Sequence, residues 1–391
     1  MQAPDSSPAT VLERVPPASA RPRPEPVPEP APADAFDPKR SYRLSRHAHL
    51  RPIAGGLVAE SPLSGQVLAL TNDTQIALVL HFLQASRPVD LLSDLDEARQ
   101  AALLKFLAEC RRCGLLTPVE EGSSPPREAE ESEAVAHWEH HDLLFHSRSR
   151  RGRAPFTIGA TYQGQDSLAP EPALSDPPPG PAIELPKLDL SIRRPALMLT
   201  EALEARRSLY RTDPVSLAAL GEFLYRTSRI TDEKEDASGE TLLRRVYPSG
   251  GSLHALELYV VPARCPELSL GLYQYRADSH RLISVADAGP DLEGLLEEAR
   301  RGTGRLDEVP SVLLIFTARL RRLARKYSGL SYALILKEIG AAFQTFYLVA
   351  AEMGLAPCAL GTGDSDAFAR ASGKDYFDEP SVGEFILGGP A

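Results

Sequence analysis

The chain has 391 residues, 43% of them hydrophobic and 25% charged, with a net charge of −10. This is the balance of a globular protein, and its acidity argues against a surface built chiefly for nucleic acid. No window reaches the roughly 18 consecutive apolar residues of a membrane span, and the N-terminus lacks the apolar stretch of a secretory signal, so a cytoplasmic location is expected. Four cysteines (Cys110, Cys113, Cys265, Cys358) in so long a chain fit a reducing compartment better than a disulfide framework.

Residues 1–40 are rich in Pro, Ala and Glu and are expected to form a disordered tail. Residues 41–121 read as a small domain. In it LRPIAGGLVAE and SGQVLALT are two strands, Asn72 and Asp73 open a helix, a second amphipathic helix covers 97–113, Gly114 stops it, and LLTPV closes the unit. Cys110 and Cys113 form a CxxC without a second pair at zinc-finger spacing, and no metal is expected there. Residues 122–195 carry HWEHH, FHSRSRRGR and a proline-rich stretch, and read as a connector draped over the domain that follows. His137, His140 and His141 lack a further ligand at a telling spacing, which leaves them as solvated surface.

From residue 196 helices and strands mix, which indicates an α+β domain. Helices are expected at ALMLTEALEARRS and SLAALGEFLYRT, a strand at ALELYVV, a hairpin at GLYQY and RLISV, and a buried strand at VLLIFTA (312–318). A long helix covers 331–353, Asp364 opens another, and VGEFIL is the last strand. In the long helix Ile335, Ile339, Ala342, Phe346, Val349 and Met353 recur at steps of four and three. Leu336, Phe343, Tyr347 and Ala350 make a second apolar set, so the helix should be buried on several sides, a subunit interface being one way to bury it.

Four segments carry chemistry. Lys326-Tyr327 sits between the buried strand and the long helix, and an amine beside a phenol points to proton transfer. Amines and phenols ordinarily titrate near ~10, so a base of either kind needs tuning downward to work at neutral pH. Arg206-Arg207-Ser208 closes a helix with Arg211 one turn on, and guanidinium forks suit phosphate or the electron-rich edge of a heterocycle. Pro248-Ser249-Gly250-Gly251-Ser252 lets the backbone approach a flat ligand before a buried strand. Leu360-Gly361-Thr362-Gly363 precedes a helix start whose N–H groups face an anion. The chain has neither a dinucleotide GxGxxG unit nor a P-loop.

Together RRS, YPSGGSLHALELYVV, KY before a long helix, GLAPCALGTGDSDAFARASG and SVGEFILG resemble the nitroreductase superfamily over about residues 195–389. The likeness is closest to its SagB-type peptide dehydrogenases, the azoline oxidases of thiazole and oxazole peptide pathways. The order of elements in 41–121 resembles a PqqD-like winged-helix domain, which would recognise a precursor peptide by strand addition. These resemblances imply a homodimeric α+β domain (196–391) with a mixed sheet flanked by helices and FMN at the subunit interface. They place Arg206, Arg207, Ser208 and Arg211 at the phosphate and pyrimidine side. Residues 248–252 would lie along the isoalloxazine, residues 360–363 near the cofactor from the other side, and Lys326 and Tyr327 would be the catalytic pair. The implied reaction oxidises thiazoline or oxazoline rings of a precursor peptide to azoles, beside the cyclodehydratase of a synthetase complex.

Two departures stand out. Where the family often reads RRSxR, Tyr210 occupies the last position and the arginine follows at Arg211, and the segment after KY lacks the frequent Gly-Asp. Rival readings are an NAD(P)H-dependent nitroreductase or quinone reductase, a non-catalytic scaffold, and a transcription factor, the last disfavoured by the acidic charge.

Overall fold

The computed structural model describes residues 36–119, 135, 137–186, 188, 197–236 and 241–390. The expected tail lies outside them up to residue 35, as does part of the expected connector. The chain divides into two compact units, Met1–Ser147 and Arg148–Ala391.

In the first unit β1 (Tyr42–Leu44) is followed by β2 (His49–Ile53), β3 (Gly56–Ser61) and β4 (Gln66–Leu70). The expected strands around a Gly or Ser-Gly turn are three in number: LRPIAGGLVAE folds back at Gly55 (φ 79°), and β2, β3 and β4 form an antiparallel sheet. Asn72 caps α1 (Asp73–His81) by accepting from the Gln75 N–H, and Asp96 caps α2 (Glu97–Arg112) in the same way through Arg99. β5 (Leu116–Pro118) returns to pair with β1. Tyr42, Leu70, Phe82, Leu107 and Leu116 close the core between sheet and helices. α3 (His140–Arg148) ends at the division between the units. Burial raises the thiol of Cys110 to about 12 and that of Cys113 to about 11, so both stay protonated.

The second unit is built on a seven-stranded sheet. Short β6 (Gly159–Ala160) and β7 (Ala182–Glu184) precede α4 (Leu199–Ala205), α5 (Leu217–Ser228) and the hairpin β8 (Ile230–Glu235) and β9 (Thr241–Arg245). Then come β10 (Leu256–Pro262), β11 (Gly271–Arg276), β12 (Arg281–Asp287), α6 (Pro290–Thr303), β13 (Val312–Ala318) and α7 (Leu320–Ala324). β14 (Tyr327–Ser328), α8 (Ser331–Met353), β15 (Ala356–Leu360), α9 (Ser365–Ser372) and β16 (Ser381–Gly388) complete it. The sheet order is β15-β16-β13-β10-β11-β12-β7. The α+β class stands, but a mixed sheet does not: every pairing in this sheet is antiparallel, including those between strands far apart in the chain.

β10 and β13 are buried on both faces, which is why VLLIFTA is a near-continuous apolar run, broken only by Thr317, rather than alternating. One face (Leu258, Val260, Leu314, Phe316, Phe385) packs on α5 and α8. The other (Tyr259, Val261, Leu313, Ile315, Ile386) packs on α6 and α9. Phe346 meets Phe316 in a tilted contact at 5.2 Å and Phe385 edge-on at 5.4 Å. Each fully buried aromatic removes roughly 150–250 Å² from water, about 4–6 kcal/mol before chain entropy. α8 is long and apolar enough to cross a membrane, yet here it is a core helix: Ile335, Ile339, Ala342, Phe346 and Ala350 are buried against the sheet and α5. Its second apolar set is only partly covered, with Leu336 41% exposed beside Tyr332 at 44%.

Candidate active site

Strand register places three of the four sequence segments at one end of the sheet. Leu256 at the start of β10 is opposite Ala318 at the end of β13, Thr317 is opposite Ser381 at the start of β16, and Glu384 is opposite Leu360 at the end of β15. Residues 248–252 enter β10, Lys326 and Tyr327 follow β13, and residues 361–363 follow β15, so all three surround that end.

The 248–252 turn is held from behind by α8. Ser249 Oγ donates to Glu338 Oε2 at 2.7 Å and accepts from the His254 N–H at 3.0 Å, while His254 Nδ1 lies 3.3 Å from Glu338 Oε1. Glu338 and His254 are both buried, so this short network fixes the turn with little freedom. Gly250 faces Leu334, where a Cβ would come within 3.0 Å. Gly251 adopts φ 64°, and a Cβ there would lie 2.6 Å from Tyr327 Oη and 3.0 Å from Lys326 Nζ. The glycine leaves room for both functional atoms, and it is the point where they converge.

The lysine and tyrosine reach that point through α7, which turns the chain back after β13. Arg319 and Arg322 fasten this turn to residues 171–173 by donating to the carbonyls of Pro172, Ala173 and Glu171. Ser331 Oγ at the start of α8 donates to the Tyr327 carbonyl at 2.9 Å. Burial, with a further contribution from Tyr162, pushes the half-buried Tyr327 phenol above its usual range. The phenol is therefore a neutral donor at neutral pH and not a base.

The remaining segments lie toward the sheet edge. Gly361 has open space on its Cβ side, and Gly363 lies so close to the Glu384 carboxyl that a Cβ would overlap it. Asp364 Oδ1 accepts from the Ala367 N–H and caps α9. Ser208 Oγ shares a 2.8 Å hydrogen bond with Tyr347 Oη, which also accepts from the Ala359 N–H of β15 at 2.8 Å. The Arg206 guanidinium lies 5.3 Å from the centre of the Tyr347 ring. Arg207 folds back to donate to the carbonyls of Glu204 and Arg206, at the exposed end of α4. Arg211 has a donor 3.4 Å from the carbonyls of both Gly354 and Gly389. Its observed work is to cap the end of α8.

A single chain thus presents two half-sites. One gathers Gly251, Lys326 and Tyr327 beside Leu334 and Glu338; the other gathers Arg206 and Ser208 on Tyr347. Those anchors are 9 to 13 residues apart on α8, or roughly 14–20 Å along its axis. Sequence reasoning singled out neither Glu338 and His254 behind the turn, nor Tyr347 as an anchor for Ser208, nor Tyr162 beside Lys326.

The open side of Gly361, the cradle at Gly250 and Gly251, and the guanidinium groups of Arg206 and Arg207 fit a flat, anionic cofactor such as a flavin mononucleotide. This agrees with the comparisons. Residues 203–388 match the nitroreductase family, which defines the second unit as a nitroreductase-type oxidoreductase. Residues 42–155 match the cyanobactin oxidase ThcOx family, ahead of the nitroreductase match. A protein named as a nitroreductase in Methanocaldococcus jannaschii is 25% identical over 181 residues, which is 46% of this chain and 83% of that protein. A solved nitroreductase-type structure from Ralstonia eutropha is similar at 23% identity and a TM-score of 0.42, covering 60% of this chain and 99% of that one. A chain of the E. coli microcin synthetase McbBCD complex is similar at 19% identity and a TM-score of 0.39, covering 54% and 75%.

Proposed function

We propose that the protein is an FMN-dependent dehydrogenase that oxidises thiazoline or oxazoline rings of a ribosomally made precursor peptide to thiazoles or oxazoles. The observation that carries this reading is the convergence of Lys326 Nζ and Tyr327 Oη on Gly251. Aromatising an azoline removes a proton from one ring carbon and a hydride from its neighbour, leaving a new carbon–carbon double bond. FMN, when bound, supplies the acceptor for the hydride. Lys326 Nζ, acting as the neutral amine, takes the proton and becomes the ammonium, and the neutral Tyr327 phenol donates a hydrogen bond that holds the ring against the pair. Arg206, Arg207 and Ser208 hold the phosphate and pyrimidine side, while residues 248–252 and 360–363 shape the slot for the ring system. No leaving group departs, so no nucleophile is required.

The two half-sites support a homodimer in which a second copy completes the cofactor slot. Met198 and Leu199 (each 68% exposed), Leu203 and Leu209 in and beside α4, and Leu336 on α8 are exposed apolar side chains that such a partner covers. The first unit supports peptide capture, since β2 and β4 are the edges of its sheet and an extended leader adds to an edge strand. A cyclodehydratase, which forms the azoline, is the matching upstream partner.

The test uses full-length protein. FMN should be released on denaturation, and Lys326→Ala and Tyr327→Phe should keep their flavin while losing the two-dalton mass decrease in an azoline peptide. Both variants oxidising the peptide at the wild-type rate would show the pair to be structural.

A further inference from the structure

The stretch ahead of α4 contributes a residue to the Lys326 site that its sequence does not advertise. β6 pairs with β14 in the register Tyr327↔Ala160 and Ser328↔Gly159, which carries Thr161 and Tyr162 past the catalytic pair. The Tyr162 N–H donates to the Lys326 carbonyl at 3.1 Å. Thr161 Oγ1 and Ser328 Oγ share a hydrogen bond, and Ser328 Oγ donates to Gln163 Oε1 at 3.2 Å. Gly164 lies flat against the backbone of Ala324 and Arg325, where a Cβ would collide.

These contacts hold Tyr162 at φ 58°, in the left-handed region that suits glycine and that a bulky side chain rarely occupies. Such outliers gather at working sites, where the surrounding structure holds them in place. So held, the Tyr162 ring centre lies 5.9 Å from Lys326 Nζ, and the Tyr327 ring centre lies 5.7 Å from the same atom. The lysine head is flanked by two aromatic rings, both within about 6 Å of Nζ, so ring faces bound the space in which the amine can move. Tyr162 is itself 39% exposed.

We infer that Tyr162 is a positioning residue for Lys326, its ring face fixing the lysine head over Gly251 for proton removal. This inference rests on the azoline-oxidation reading. Because the contact is to a ring face and not to a hydroxyl, phenylalanine should replace the tyrosine and an aliphatic residue of similar size should not.

The experiment compares Tyr162→Phe, Tyr162→Leu and Tyr162→Gly in the full chain. The glycine suits the backbone and removes the ring, so it serves where the leucine variant fails to fold. In the flavin-loaded enzyme, kcat for azole formation should fall about five-fold in the Leu and Gly variants with KM unchanged, and stay within about two-fold of wild type in the Phe variant. In flavin-free protein, trinitrobenzenesulfonate labelling of Lys326, read by peptide mass mapping, should rise in the Leu and Gly variants alone. Wild-type labelling and kcat in the Leu and Gly variants would overturn the inference, as would a Phe variant that falls with them. A wild-type enzyme that leaves azolines untouched overturns the functional reading instead, and the labelling comparison then still decides the contact.

Discussion

Replacing Glu384 with glutamine probes the ground on which the 360–363 segment rests. Glu384 is 7% exposed in β16, with its carboxyl against Gly363. Burial raises its pKa from 4.5 to about 7, opposed in part by a hydrogen bond from Ser381. The folded pKa lies above the unfolded one, so the native state holds an extra proton between those values. The carboxyl is therefore tolerated without penalty below pH ~4.5, and stability is lost as the pH rises toward and through about 7. A shift of about 2.5 units at roughly 1.36 kcal/mol each sets the full loss near 3 kcal/mol, most of it incurred between pH 5 and pH 8. Glutamine has nearly the same shape and stays neutral. Glu384→Gln should thus be more stable than wild type by about 2–3 kcal/mol more at pH 8 than at pH 5, a rise of roughly 5–10 °C in the midpoint of the second unit. Thermal unfolding of the flavin-free protein at both pH values reads this. Parallel stability of variant and wild type at the two pH values would refute the reasoning.

Other substitutions act on the site itself. Gly251→Ala puts a methyl 2.6 Å from Tyr327 Oη at a positive φ, so both functional atoms must move; kcat should fall on the order of 100-fold with flavin still bound, measured by steady-state peptide oxidation. Leu203→Glu sets a charge on the exposed apolar surface of α4; light scattering should show a monomer that has lost most of its FMN, and a flavin-loaded monomer would contradict the shared cofactor slot.

Much of this architecture was legible in the sequence where periodicity and end signals agree. The α8 span of 331–353 and the β13 span of 312–318 are observed as expected, and Asp364 is the N-cap of α9. β15 was missed because Ala356-Pro357-Cys358-Ala359-Leu360 has no β-branched residue, and only pairing with β16 makes it a strand. α6 was missed although Pro290 at its first position, Asp291 and Glu293 in the first turn and Gly304 after its end were readable signals. In the site, the glycine turns and the Lys-Tyr pair declared themselves by composition. The side chains that hold them did not, because Glu338, His254, Tyr347 and Tyr162 owe their roles to contacts with residues distant in the chain.

The most direct measurement is the mass of an azoline-containing precursor peptide after incubation with the flavin-loaded protein in air. The account predicts a loss of two daltons per ring, with no nicotinamide cofactor required. An unchanged peptide mass, together with NAD(P)H consumed in the reduction of a nitroarene or quinone, would contradict it and make the protein a reductase.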